Sequence, residues 1–175
     1  VGLSPDTVVV VDSVDQKVLQ ILDASSGRLV GKHVHSTEIT NVSLNQHTLG
    51  PQERLLVFSD KNHDLYVCNL GAGSGPQGPA LPTYRLRSHV ESFLFNDETD
   101  VLVGLADGRL LTWYTPGVPF VDKDLLEATT NSSEDAEFGR NAQIAAFTGP
   151  RITIRKVDGS VLFVNPPLDI PIIYE

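Results

Sequence analysis

Cysteine and basic residues are scarce in the sequence. Cys68 is its single cysteine, so an internal disulfide and a zinc site with several cysteine ligands are both excluded. Only 13 residues are lysine or arginine, against 22 aspartates and glutamates, and the formal net charge is −9. Because binding of nucleic-acid phosphates needs clustered basic side chains, no nucleic-acid partner is expected.

Long apolar runs are missing as well. An uninterrupted run such as Val8–Val11 has the length of a strand core, whereas a membrane-spanning helix needs roughly 20 apolar residues. No basic segment followed by an apolar one occurs near Val1, so neither a signal peptide nor direct membrane insertion is predicted. With 41% hydrophobic residues, the composition is typical of a folded domain, and a cytosolic-type compartment is expected.

The dominant positive feature is an internal repeat. Each of four segments has an apolar run, a short polar turn with Asp or Gly, and a second apolar run. These segments are residues 7–23, 55–70, 101–114 and 152–165. A period of roughly 45–50 residues with several short strands is typical of β-propeller blades, each a four-stranded antiparallel sheet. We therefore predict an all-β fold, a partial WD40-type β-propeller of about four blades spanning residues 1–165.

Each repeat segment is predicted to be a β-hairpin, since Val, Ile, Leu, Tyr and Trp dominate its arms. Asp107-Gly108 and Asp158-Gly159 indicate type I′ turns, in which both central residues have positive φ. Arms that are continuously apolar predict strands covered on both faces. The remaining strands of the blades are expected between the hairpins: innermost strands at 38–45 and 91–96, and polar outer strands at 83–87 and 119–122.

Three segments depart from the repeat. Residues 71–82 are rich in Gly, Pro and Ser and are predicted to form a flexible surface loop. Residues 124–140 are acidic and polar, and we predict a loop there, with one helical turn within 125–128. Residues 166–175 leave the strand rhythm and are interpreted as a connector to a further part of the protein.

Candidate chemical sites are weak. His33 and His35 would share one face of a strand, but no third metal ligand lies nearby, and a polar outer-strand face is the simpler interpretation. Cys68 lies inside a strand, so a buried structural thiol is expected rather than a nucleophile. The acidic turn at residues 97–100 lacks the spacing of a calcium-binding loop and is expected to be solvated. No catalytic, cofactor-binding or metal-binding residue is predicted.

Two sets of residues are predicted to matter structurally or in binding. Trp113 and Tyr114 are expected to pack between blades, with an exposed aromatic anchor as the alternative. The turn residues Asp107, Gly108, Asp158 and Gly159 are expected to shape the hairpins. Acidic residues are the candidates for partner binding on charge grounds: Asp122, Asp124, Glu134, Asp135 and Glu137.

A family resemblance covers roughly residues 1–175 and is strongest from residue 101 onward. The block that carries it begins with the hairpin 101–114, which ends in Trp-Tyr, and continues through the run FVDKDLL at 120–126. DAEF at 135–138, NAQI at 141–144 and ITIRKVDGS at 152–160 complete it, and the turn DKNHDLY at 60–66 belongs to the preceding blade. This block resembles the end of the second propeller in the intraflagellar transport protein 80 family, a double-propeller subunit of intraflagellar transport complex B.

The resemblance implies a structural role without a cofactor or enzymatic activity. It implies a scaffold for cilium assembly and anterograde transport, with other complex B subunits as partners. It also implies a location in the cilium or flagellum, the basal body and the cytoplasm, and an α-helical solenoid after residue 175; self-association of the parent protein is left open. A coat or vesicle-trafficking propeller is the alternative. A central-channel hydrolase would need carboxylates or histidines at the inner ends of several strands, and no such set is apparent.

Overall fold

The computed structural model describes residues 2–46, 54–70, 82–134, 138–139 and 141–166. In these residues the chain forms fifteen strands in four antiparallel sheets, together with one α-helix and one 3₁₀ helix. Within the same residues, neither helix has the length and apolarity that crossing a membrane requires. The chain divides into two compact units, residues 1–89 and 90–175.

The first unit contains two four-stranded sheets, whose strands are hydrogen-bonded in chain order. The first sheet comprises β1 (Gly2–Leu3), β2 (Thr7–Val11), β3 (Val18–Asp23) and β4 (Leu29–Val34). The second comprises β5 (Ile39–Leu44), β6 (Leu55–Asp60), β7 (Leu65–Asn69) and β8 (Thr83–Arg87). Short polar connections and β-branched, aromatic or leucine-rich arms favour this up-and-down pairing of neighbours in sequence.

The second unit contains a four-stranded and a three-stranded sheet, again with neighbours in sequence paired. The third sheet of the chain comprises β9 (Ser92–Phe95), β10 (Leu102–Ala106), β11 (Arg109–Trp113) and β12 (Thr130–Glu134). The fourth comprises β13 (Gln143–Thr148), β14 (Arg151–Arg155) and β15 (Val161–Val164). The α-helix, α1 (Leu125–Ala128), and the 3₁₀ helix (Val118–Phe120) lie between β11 and β12.

Among the described residues, an apolar core lies between the two sheets of each unit. In the first unit, alternate residues of β2 and β3, such as Val9 and Leu19, face Leu56 and Phe58 of β6. In the second unit the core is formed by the following buried residues: Val103, Leu105, Leu110, Phe138, Ala142, Ile144, Phe147, Ile152 and Ile154. The strand β10 is buried at every position, as its unbroken apolar sequence predicts.

The two Asp-Gly turns differ. Asp107 and Gly108 have φ values of 49° and 77°, the geometry of a type I′ turn. The prediction of the same turn at Asp158-Gly159 is wrong, because only Gly159 has positive φ, at 89°. The Gly159 N–H donates to the Lys156 carbonyl at 3.0 Å, which makes a three-residue loop with glycine at the bulge position.

The predicted outer strand at residues 119–122 is also wrong. The chain forms a 3₁₀ helix there, closed by the Val121 N–H donating to the Val118 carbonyl at 2.9 Å. Pro119 lies in the first turn of this helix, where the missing N–H of proline has no intrahelical partner to lose.

The predicted loop at residues 124–140 contains both the helix α1 and the strand β12. The helical turn falls at Leu125–Ala128, within the predicted residues. Thr130–Glu134 then pairs along the whole of β11 and supplies the outer strand that had been expected at 119–122. Its sequence is polar throughout, which an outer strand tolerates because one of its edges faces water, and the strand was therefore not apparent from the sequence.

Candidate functional site

Near the end of β4, His33 is buried and the side chain of His35 is largely buried, which corrects the interpretation as a polar outer-strand face. The ring centroid of His33 lies 5.5 Å from that of Phe58, and the His33 residue is 3% exposed. The ring of His35 lies 5.0 Å from Phe58 and 4.6 Å from Tyr66, both edge-on. The face of the first sheet that carries these rings therefore packs on the second sheet rather than facing water.

His35 connects the first sheet to a turn of the second. Its Nε2 lies 2.9 Å from Oδ2 of Asp60, whose side chain is almost fully buried. Oδ1 of the same carboxylate accepts the backbone N–H groups of Asn62 and Asp64. Asp60 therefore joins the β6–β7 turn to the segment that follows β4, and both of its oxygens are committed to structure.

No group of three His, Cys, Asp or Glu side chains that could hold a metal ion occurs among the described residues. Burial, reinforced by the nearby His35, lowers the pKa of His33 to about 4. His33 is therefore neutral at physiological pH and contributes packing rather than charge.

Arg54 provides a second polar link that the sequence did not reveal. Its guanidinium donates to both carboxylate oxygens of Asp6, each at 3.1 Å, and to the backbone carbonyl of Asn45. Burial alone would raise the pKa of Asp6, but hydrogen bonds from Arg54 and Thr7 and the charge of Arg54 hold it below its usual value. The pair joins the two sheets of the first unit from positions far apart in sequence, so no local motif could have predicted it.

Cys68 is a structural thiol. It lies in β7, is fully buried and belongs to the apolar core of the first unit. Burial raises the pKa of its thiol to about 12, although a hydrogen bond with Thr83 opposes the shift. Since the thiolate is the nucleophilic form, this cysteine is chemically inert at physiological pH.

The acidic turn after β9 has a structural task in the second unit. Oδ1 of Asn96 accepts the N–H groups of Glu98 and Thr99, which shapes the turn. Oδ1 of Asp97 accepts the Gly149 N–H at 2.9 Å, and the Asn96 amide donates to the Gly149 carbonyl at 2.8 Å. These bonds hold the β13–β14 turn against the third sheet, which replaces the expectation of a merely solvated turn.

Trp113 and Tyr114 are both buried at the end of β11. A Cβ atom added to Gly104 would lie 2.9 Å from Cζ3 of Trp113, so the indole ring covers this glycine of the neighbouring strand. Only a residue without a side chain leaves room for the ring at this position. The burial favours a packing role for the tryptophan, while its contact with an adjoining blade stays a prediction.

The predicted partner-binding residues are dispersed along one connection and one strand. Asp122 and Asp124 are exposed between the 3₁₀ helix and α1. Glu134 ends β12, where its Oε2 lies 3.4 Å from Nη2 of Arg109, and both side chains are exposed. Asp135 and Glu137 lie outside the described residues, as do residues 71–81 of the predicted flexible loop and 167–175 of the predicted connector.

Comparison with solved structures supports the architecture. A computationally designed protein, Ika4, aligns with a TM-score of 0.55 at 19% identity, covering 94% of this chain and 88% of that one. Human WBSCR16 aligns with a TM-score of 0.56 at 13% identity, covering 91% of this chain and 45% of that one. At these identities the likeness concerns the fold alone.

Comparison of sequences is more specific. The family model described as "IFT80 second beta-propeller" matches residues 1–168. Intraflagellar transport protein 80 homologs of Rattus norvegicus and Mus musculus are each 32% identical over 168 residues, which is 94% of this chain and 21% of each relative. The chain thus spans about a fifth of those relatives. The predicted fold class, a partial β-propeller of about four blades, and the predicted family are both confirmed: the chain belongs to the IFT80 second beta-propeller family.

Proposed function

We propose that this chain is part of a structural subunit of intraflagellar transport complex B. In this proposal it acts as a scaffold in cilium assembly and anterograde transport, and its partners are other complex B subunits. The observation that supports the proposal most directly is the family match over residues 1–168. The protein would work in the cilium or flagellum, at the basal body and in the cytoplasm. Residues 1–165 would be C-terminal blades of a propeller, and 166–175 would lead into an α-helical solenoid.

The chemistry of the described residues supports a non-enzymatic role. The buried thiol of Cys68 has a raised pKa, and both oxygens of Asp60 are used in structural contacts. His33 is buried among aromatic rings with a lowered pKa, which does not suit proton transfer near neutral pH. In the first unit these three groups are thus used in packing or in structural hydrogen bonds, and no cofactor is proposed.

The proposal is tested by purification of the tagged protein from ciliated cells, with and without residues 1–165. We expect complex B subunits to be recovered with the intact protein and lost on deletion, and the cilia of cells that carry only the deletion to be shortened. The tagged protein with Val14→Ala, an exposed apolar position in the first unit, controls for handling. Recovery of coat or endosomal proteins in place of complex B would contradict the ciliary role and favour the vesicle-trafficking alternative.

We further propose that the exposed acidic residues before β12 contact a basic surface of a complex B partner. Replacing Asp122 and Asp124 with lysine should weaken binding about tenfold at low salt, with a smaller effect at high salt, because screening removes the attraction. The affinity of the purified protein for the assembled partners measures this. A control with Asp15→Lys and Glu98→Lys changes the net charge equally at other exposed turns. Equal losses in both variants would show that only net charge matters and refute the site.

A further inference from the structure

The fourth sheet differs from the other three at its outer edge. In each of the first three sheets the third strand is flanked by an outer strand: β3 by β4, β7 by β8 and β11 by β12. Among the described residues, none pairs with the outer side of β15, the third strand of the fourth sheet. Its Val161 and Phe163 are 51% and 60% exposed. An edge strand with exposed apolar side chains is a template for pairing with another strand.

The register shows which backbone groups this edge presents. The Lys156 N–H donates to the Ser160 carbonyl at 2.9 Å, so these two residues begin the hydrogen-bonded side of the β14–β15 ladder. Leu162 pairs with Ile154, two residues along each strand from the first pair, so this pair is hydrogen-bonded as well. Because the direction of backbone groups alternates along an antiparallel strand, the N–H and C=O groups of Val161 and Phe163 point away from β14.

The side chains around this edge are basic. The guanidinium carbon of Arg151 lies 5.2 Å from the centroid of the Phe163 ring. Arg155 is paired directly with Val161, so it lies on the same face of the sheet. Although the chain has a formal net charge of −9, this face therefore offers two exposed arginines beside two exposed apolar side chains. A complementary strand would carry carboxylates next to apolar residues.

We infer that the outer edge of β15 binds an extended segment of another complex B subunit, in which acidic and apolar residues both occur at every second position, so that they share one face of the strand. The segment adds a fourth strand to this sheet through the outward backbone groups of Val161 and Phe163. Its carboxylates lie against Arg151 and Arg155, and its apolar side chains cover Phe163. This inference rests on the proposed function and adds the surface and the chemistry of the partner.

The test compares Val161→Pro with Val161→Ala in the full protein. Proline removes the outward N–H and alanine keeps it, and neither removes a backbone bond to β14. We expect the affinity for purified, reconstituted complex B to fall about tenfold with proline, because one backbone hydrogen bond to the partner strand is lost. With alanine the affinity should stay within about threefold of that of the unaltered protein. Equal affinities would overturn the inference.

Hydrogen exchange on the unaltered protein provides a measurement that does not depend on folding of a variant. The amides of Val161 and Phe163 are expected to exchange rapidly in the isolated protein and at least about tenfold more slowly in the assembled complex. Slow exchange already in the isolated protein would mean that its own chain or a second copy covers the edge, and would overturn the inference. Unchanged rapid exchange in the assembled complex would also overturn it. Failure of the unaltered protein to join complex B would instead refute the proposed function.

The charge of the partner is tested separately. Arg155→Glu should weaken assembly about tenfold, because it places a carboxylate against carboxylates of the partner strand. Arg28→Glu, at an exposed turn of the first unit, is the matched control and should leave affinity unchanged. An Arg155→Glu protein that binds as well as its control would show that the added strand is not acidic, and would overturn the inference as stated.

Discussion

Replacing Trp113 with alanine should lower the free energy of unfolding by roughly 3–5 kcal/mol, the usual cost of truncating a buried tryptophan. The side chain is 2% exposed at the end of β11, and its ring fills the space above Gly104. Alanine would leave that space empty, since Gly104 has no side chain to fill it. Urea denaturation followed by far-ultraviolet circular dichroism measures the change, because Trp113 is the single tryptophan and fluorescence is lost with it.

Two controls separate packing from other effects of this substitution. Trp113→Phe keeps an aromatic ring and should cost clearly less than alanine. Phe163→Ala removes an exposed ring from β15 and should change stability by no more than about 0.5 kcal/mol. If Trp113→Ala itself had so small an effect, the indole would be an exposed binding residue and the structural role would be refuted.

Acidification should destabilise the protein through His33 before the carboxylates titrate. The pKa of His33 is about 4 in the folded chain and about 6.5 in an unfolded one. Below about pH 6.5 the unfolded state therefore binds a proton that the folded state does not accept until about pH 4. The contribution of His33 to the free energy of unfolding is fully present above this window. It is lost as the pH is lowered through the window, which reduces the free energy of unfolding by up to roughly 3 kcal/mol.

The measurement is the free energy of unfolding at several pH values between about 7 and about 4, at constant ionic strength. His33→Leu removes the titrating group and keeps an apolar side chain in the site, so the loss of stability across this window should be much reduced. His63→Asn, at an exposed turn, should retain the full slope; its φ of 64° is one that asparagine tolerates. An unaltered protein whose stability is constant down to about pH 4 would contradict the assignment.

The strands could be predicted wherever the local sequence has one dominant preference. The unbroken apolar run of β10 and the Asp107-Gly108 turn both led to the observed structure. Strand β12 could not be predicted, because Thr130–Glu134 has no apolar alternation. Its conformation depends on the backbone groups that the edge of β11 offers, and those groups belong to another part of the chain.

In the candidate sites, too, some features could be predicted from the local sequence and others depend on distant parts of the chain. The sequence sufficed to place Cys68 inside a strand. Burial of the two histidines was not predictable, because it depends on Phe58 and Tyr66 in the second sheet. Whether one face of a polar strand is buried depends on the sheet that packs against it.

By itself the sequence determined the all-β class, the repeat of about four blades and the family, because periodic apolar runs and turn residues act over short stretches of chain. Only the tertiary structure decided which polar groups connect the sheets. Arg54 donates hydrogen bonds to Asp6, and the Asn96 amide donates to the Gly149 carbonyl. In both pairs the two residues are roughly 50 positions apart in the chain. Such pairs form because a buried charge or amide without a hydrogen-bond partner destabilises the fold. Which residue becomes the partner depends on three-dimensional packing and cannot be inferred from the neighbouring sequence.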